Sequence, residues 1–281
     1  MTWAQATART HQQPDGFSAR HRAQDHFATS VSVGDHVARV VLEHCEDAAR
    51  RHGVRHPYIV DVGSGDGRLL RQLLDLGFPA GQLIGVDVRP APSELPVGWI
   101  QGVAPACLPD FDGLLFAHEF LDDIGAERVV DGRVETVDAA GRVTAGGCAD
   151  DEDLAWLRRW SGGGTGLVGR ARDEAWARMV AAVGRGEAIA VDFRGNRHLG
   201  YWRGRRVDAI PDGRTDICAG VELRSCRERT GGRLVPQHRV FAGRRADSVI
   251  EHAELAVLRD RGGLGAFNWL FTDVCSVGSR P

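Results

Sequence analysis

The stretch Tyr58–Gly67, YIVDVGSGDG, constrains this chain more than any other. An apolar run ends on Asp61, and Gly63, Gly65 and Gly67 follow at alternate positions. Glycines there let the backbone bend sharply and come close to a ligand, because a side chain would collide with it. Farther on, LIGVDV (Leu83–Val88) carries a second apolar strand up to Asp87. A carboxylate at that point can accept hydrogen bonds from both hydroxyls of a ribose. Strand, glycine turn and second acid together predict a nucleoside-binding crevice at the carboxyl edge of a parallel sheet in an α/β protein.

A dinucleotide-binding turn would read G-x-G-x-x-G. Gly63 and Gly65 fit, but Arg68 stands where the third glycine belongs. The pattern D-x-G-x-G-x-G instead resembles motif I of the class I S-adenosylmethionine (SAM)-dependent methyltransferases. That resemblance implies a Rossmann-like fold, with a twisted, mostly parallel seven-stranded sheet and helices on both faces. It also implies SAM as cofactor, with S-adenosyl-L-homocysteine as its product. Asp61, Gly63, Ser64 and Gly65 would lie along SAM, Asp87 would hold its ribose, and Val88 would adjoin it. A glycine turn without a ligand and a dinucleotide site are the competing readings.

Composition narrows the remaining choices. At 281 residues the chain suits one α/β domain with an elaboration. A net charge of −3 gives no reason to expect nucleic acid or an anionic membrane as partner. No apolar run is long enough to span a bilayer. Residues 1–24 read as a polar tail without the apolar core of a secretory signal, so a cytoplasmic location is expected. All 35 basic residues are arginine. A Schiff-base lysine and a Walker A loop are therefore both excluded. The six cysteines form no C-x-x-C pair, and the eleven histidines form no H-E-x-x-H, so free thiols and no metal are expected.

Along the chain, residues 25–56 read as a helical lead-in, with Val33, Val37, Val40, Val41 and Cys45 at helical spacing. The methyltransferase domain then occupies 57–281. Strands are expected at Tyr58–Val62, Leu83–Val88, Trp99–Gly102 and Gly113–Ala117, with a crossover helix at Arg68–Leu76. A hairpin turns at Asp131-Gly132. A helix starts at the acidic run Asp150–Asp153, SGGGTG (Ser161–Gly166) reads as a hinge, and a helix over Arg172–Val183 leads to a fifth strand at Ala188–Phe193. The region 120–186 therefore reads as a lid-like insertion over the carboxyl edge. Beyond it, a loop is expected at Pro211–Asp216, a helix from Ala219 to Gly231, and closing strands in Leu234–Phe241 and Phe267–Val274.

LLFAHEFLDD (Leu114–Asp123) sets His118, Glu119 and Asp122 just past the fourth strand, facing the ligand crevice. At this point the chain resembles the MidA-type methyltransferases, whose mitochondrial members methylate a protein arginine during respiratory complex I assembly. Phe27, Thr29 and Ser30 match that family's D-F-x-T-S segment. Glu119, Leu121 and Asp122 match N-E-x-L-D-A-L-P, Asp192 and Gly195 match I-D-Y-G, and TDICAGV (Thr215–Val221) is similar to D-x-T-A-H-V. The likeness runs from about residue 25 to 241. His118 replaces an asparagine, Asp123-Ile124-Gly125 replace Ala-Leu-Pro, and Gly220 replaces a histidine.

The resemblance implies methyl transfer to a nitrogen acceptor, an arginine side chain of a protein or peptide. Glu119 and Asp122 are the candidate catalytic acids, able to hold a guanidinium by charge-assisted hydrogen bonds and to take its proton. His118 is read as a cofactor or structural contact. Asp192 either lines the acceptor pocket or anchors a loop, and Tyr201, in YWRGRRV, is a candidate substrate contact. A small-molecule methyltransferase and a SAM-binding assembly factor without turnover remain as rivals, and a homodimer is left open.

Overall fold

The computed structural model describes residues 1–13, 16–21, 25–26 and 28–275. Seven strands build the central sheet: β1 Tyr58–Val62, β2 Leu83–Asp87, β3 Gly98–Gln101, β4 Phe111–His118, β5 Val183–Asp192, β6 Arg233–Pro236 and β7 Asn268–Val274. Their order across the sheet is β3-β2-β1-β4-β5-β7-β6. β7 runs antiparallel to both of its neighbours, and every other pairing is parallel.

Both faces of this sheet are covered, which is why the central strands are near-continuous apolar runs. On one face Ile59, Leu114, Phe116, Ile189 and Trp269 pack beneath the helices His36–His52, Arg68–Asp75 and Val249–Arg259. On the other, Val60, Val62, Leu115, Ala188 and Ala190 meet Trp176 and Met179 of helix Arg170–Ala181 and Leu223 and Cys226 of helix Leu223–Thr230. Alternate residues of one strand thus feed two separate cores. The order reverses between β1 and β4, so the loops after β1 and β4 open onto one crevice.

Two small sheets are added to this core, and the second of them lends Tyr201, Asp216 and Cys218 to the crevice wall. One has four strands, in the order Val143–Cys148, Arg133–Val137, Glu127–Val130, Gly166–Val168. Its hairpin turns at Asp131 and Gly132, with φ of 49° and 74°, as the two-residue loop requires. The second joins His198–Trp202 to Arg205–Val207 and Asp216–Ala219.

Several expectations need correction. The amino-terminal segment is not a polar tail throughout: Trp3–Gln12 is a helix, with Thr2 and Gln5 forming its capping box. Trp3 and Ala6 pack against Val137 and Ile217, one from each small sheet. Those partners lie more than a hundred residues away, so no local pattern announces them. The helix expected from Arg172 begins at Arg170 and flanks the central sheet, which leaves 127–168 as the added unit. Asp216–Ala219 is a strand, and the helix predicted from Ala219 begins at Leu223. Pro236 ends β6, and Gln237–Val240 turns into a short helix. The helix Val249–Arg259 had no counterpart in the sequence reading. Phe27 of the family-like segment lies outside the described residues.

Trp3 is 5% exposed and stacks on His198 with ring centroids 4.5 Å apart. Trp3→Ala is expected to cost about 3 kcal/mol of stability, read as a lowered midpoint in denaturant unfolding. A solvated tail would give no change.

Candidate active site

Gly63, Gly65 and Gly67 all adopt left-handed backbone, with φ of 76°, 61° and 75°. A Cβ on Gly63 would sit 3.0 Å from the Phe120 ring, and one on Gly67 would strike Leu95 at 2.5 Å. At both positions a side chain would press on its neighbour and strain the left-handed backbone. The Gly63 and Ser64 amides donate to the Val86 carbonyl at 2.9 and 3.2 Å. The Ser64 hydroxyl donates to the Asp61 carbonyl at 2.7 Å and accepts the Val86 N–H at 3.2 Å. Ser64 therefore ties the turn to the end of β2.

Asp87 is aimed by its neighbours. One carboxylate oxygen accepts the Gly65 N–H at 2.8 Å, and the other accepts the Arg89 N–H at 2.9 Å. The second oxygen also accepts Arg89 Nε at 3.4 Å, so the oxygen that holds Gly65 keeps the clearer lone-pair capacity for a further donor. Arg89 also donates to the His21 carbonyl at 3.1 Å, joining this corner to the segment that caps it. Asp61 is buried beneath the turn. Burial pushes its carboxyl up to about 7, opposed by the Ser64 hydroxyl and reinforced by Asp87 and Asp66.

Past β4 the crevice becomes acidic. Glu119 has a φ of 50°, a conformation uncommon outside glycine, and its amide is held by the Val191 carbonyl at 2.8 Å. The turn directs Glu119 and Asp122 into the crevice, where Glu119 Oε1 and the buried Asp122 Oδ1 have no hydrogen-bond partner among the described residues. Burial raises the Glu119 carboxyl well above its ordinary range, aided by the Asp122 and Asp216 charges. Asp122 is pushed up to about 6 by burial, against the pull of Arg172. His118 is buried against Phe116, its Nδ1 lies 3.5 Å from Glu119 Oε1, and burial drives its pKa down to about 3. The imidazole is therefore neutral at physiological pH.

All the predicted site residues but Asp192 line one cavity of about 550 Å³. That volume lies in the range of small-molecule and cofactor sites. Asp61, Gly63, Ser64, Gly65, Asp87, Val88 and His118 share its wall with Glu119, Asp122 and Tyr201. Asp192 is 1% exposed and accepts the Leu121 N–H at 3.2 Å. It anchors the loop after β4 rather than lining the cavity, which corrects its reading as a substrate contact.

Sequence reasoning missed His11, Asp123 and Arg172. His11 sits on the helix taken for a tail, and Asp123 was read only as a departure from a motif. Arg172 is 1% exposed and donates to the carbonyls of Ile124, Gly220 and Asp122 at 3.0, 2.7 and 3.2 Å. It thus pins the acidic loop to the strand end at Gly220. No spacing rule would have found a guanidinium that serves carbonyls.

The raised carboxyls carry a stability signature. Folded Asp61, Asp122 and Asp216 hold their protons up to about 7, 6 and 6, against 3.8 as the ordinary value. Between pH 4 and 7 these three carboxyls bind more protons in the folded chain than in the unfolded one and so draw stability down as pH rises, while buried His118 and His198, held neutral down to about 3, act in the opposite sense below 6.5. The thermal midpoint of Asp122→Asn is therefore expected to gain on that of the wild type as pH rises through 4 to 7. A difference that stays flat with pH would contradict this.

The strand order, the antiparallel β7 and the glycine turn after β1 define the class I methyltransferase fold. Two solved structures share it. A COG1565 superfamily member from Burkholderia thailandensis, bound to S-adenosyl-homocysteine, is 17% identical over 98% of this chain and 88% of its own, with a TM-score of 0.77. A native COG1565 superfamily protein from the same organism gives 17% identity over 98% and 87%, with a TM-score of 0.74. No protein-family model and no curated protein matches the sequence.

Proposed function

We propose that this chain is a SAM-dependent methyltransferase related to the MidA type, acting on a nitrogen acceptor, most specifically an arginine side chain of a protein or peptide. The observation that carries the reading is one cavity that joins an oriented ribose acceptor, Asp87, to unpartnered buried carboxyls at Glu119 and Asp122. The residues fit SAM: a crease without side chains at Gly63 and Gly65, and a carboxylate pre-aimed by two amides. The S-adenosyl-homocysteine bound in the B. thailandensis relative supports the same assignment.

When bound, SAM supplies an electrophilic methyl group on a sulfonium. The protein's part is then mainly alignment, which can account for roughly 7–11 kcal/mol of such a barrier. Asp87 and the glycine crease hold the nucleoside end, while Glu119 and Asp122 orient the acceptor nitrogen. A guanidinium must lose a proton as it is methylated, and a carboxylate titrating near neutrality is a competent base. Asp122, at about 6, meets that condition, and a cation beside Glu119 would draw its raised pKa down. His118, being neutral, can donate or accept one hydrogen bond without adding charge to this chamber.

Incubating the purified protein with methyl-labelled SAM and a cell extract tests the reading. Label in polypeptide, hydrolysing to methylarginine, is the expected result. Label confined to small molecules selects the small-metabolite reading, which the His11, Gln12 and Phe17 side chains narrowing the cavity wall favour. No label above that of a Gly65→Arg control would leave a binding protein without turnover.

A further inference from the structure

Three metal-ligating side chains far apart in sequence converge at the acidic end of the cavity. His11 comes from the amino-terminal helix, Asp123 from the loop after β4, and Asp216 from a strand of the second small sheet. His11 Nε2 lies 3.3 Å from Asp123 Oδ1 and 3.7 Å from Asp216 Oδ1. The three ligand atoms all fall within 4.8 Å of one another. The Ile217 carbonyl adds a fourth donor, 2.8 Å from the same ring nitrogen.

We infer that His11, Asp123, Asp216 and the Ile217 carbonyl form a site for a first-row divalent cation, which clasps the amino-terminal helix to the wall of the cavity.

Charge balance argues for a cation here. Neither Asp123 nor Asp216 has an arginine partner among the described residues, and Arg172 spends its donors on backbone carbonyls. Asp122, 4% exposed, lines the same cavity and leaves Oδ1 unpartnered. Asp122 and Asp216 are buried and Asp123 is half-buried, and anions gathered so closely call for a cation or bound protons. Donor type then favours a metal. One imidazole nitrogen grouped with carboxylate and carbonyl oxygens suits Mn²⁺ or Zn²⁺ better than a planar guanidinium.

The outer shell is also in place. His11 Nδ1 is 2.6 Å from the Ser18 hydroxyl. In the metal-free chain the Nε2–H donates to Ile217, and Ser18 donates to Nδ1. With an ion bound, the proton moves to Nδ1 and Ser18 accepts it, freeing the Nε2 lone pair. Hydroxyl partners of this kind fix the tautomer of metal-bound histidines. Because the ligands come from positions 11, 123 and 216, no spacing motif exists to betray them.

The inference stands apart from the methyl-transfer reading, and its test uses no activity. The full chain carrying Cys275→Ala, which removes the thiol from the surface trio His52, Asp273 and Cys275, is stripped with chelator. It is then titrated separately with Mn²⁺, by electron paramagnetic resonance, and with Zn²⁺. One ion per chain is expected from at least one metal, with a rise in thermal midpoint. Asp216→Asn and His11→Gln should each weaken binding by at least about tenfold, and Ser18→Ala by about tenfold. His11→Gln keeps a donor for Ile217, so one variant remains informative if Asp216→Asn fails to fold. Absence of both ions from the folded protein, or equal affinity in the folded variants, overturns the inference.

Discussion

Asp87→Ala is expected to weaken S-adenosyl-homocysteine binding by about a hundredfold or more while the sheet stays intact. A ribose gripped through two hydroxyls makes two hydrogen bonds to a charged group, each contributing about 1.5–3 kcal/mol. Their sum corresponds to roughly two to four powers of ten in affinity. The loss has a second source, since Asp87 also holds the Gly65 amide at 2.8 Å and so helps set the glycine turn. Asp87→Asn separates the two. It keeps an acceptor for the Gly65 N–H but loses the charge and one acceptor site, so it should fall between wild type and alanine. Calorimetry and circular dichroism on the same samples check both affinity and fold. Retention of wild-type affinity in Asp87→Ala would mean that the nucleoside lies elsewhere.

The second large effect is expected at Glu119. Glu119→Gln should lower the turnover rate by roughly 10²–10⁴-fold, the span typical of losing a positioned proton acceptor. Cofactor affinity should change by no more than a few fold, because the turn after β1 and Asp87 are untouched. The substitution is nearly isosteric and removes a buried carboxyl whose Oε1 has no partner, so stability should hold or rise. Asp122→Asn should show a smaller loss in rate, together with a shift in the acidic limb of the pH–rate profile. Transfer of label from SAM into the acceptor fraction gives the rate. Equal rates for Glu119→Gln and wild type would remove that residue from the chemistry.

The cofactor end of the site was legible because its geometry is local. Asp61, the three glycines and Asp87 sit on two consecutive strands, and the alternation of the glycines follows directly from the bend they make. Strands β1 to β4 could be placed to within a few residues, since continuous apolar runs flanked by turn residues are strong signals. The Asp131-Gly132 hairpin was equally plain. The acidic part of the cavity was half legible. Glu119 and Asp122 follow from the strand order, which opens the loop after β4 onto the crevice. For Asp192 the sequence left two roles open, pocket wall or loop anchor, and the Leu121 amide it serves is known only once β4 and β5 are paired.

What stayed hidden was long-range. Trp3 and Ala6 form a buried face only because Val137 and Ile217 are there to receive them. His11 therefore looked like part of a tail, although the helix carries it to Asp123 and Asp216. Arg172 gave no signal because its partners are carbonyls spread from residue 122 to residue 220. Such contacts are products of the fold rather than of any window of sequence.

Titration of the folded wild-type chain with S-adenosyl-homocysteine tests the central claim most directly. One molecule is expected to bind per chain, with Gly65→Arg abolishing the heat. A correctly folded protein that takes up none of it would contradict the account.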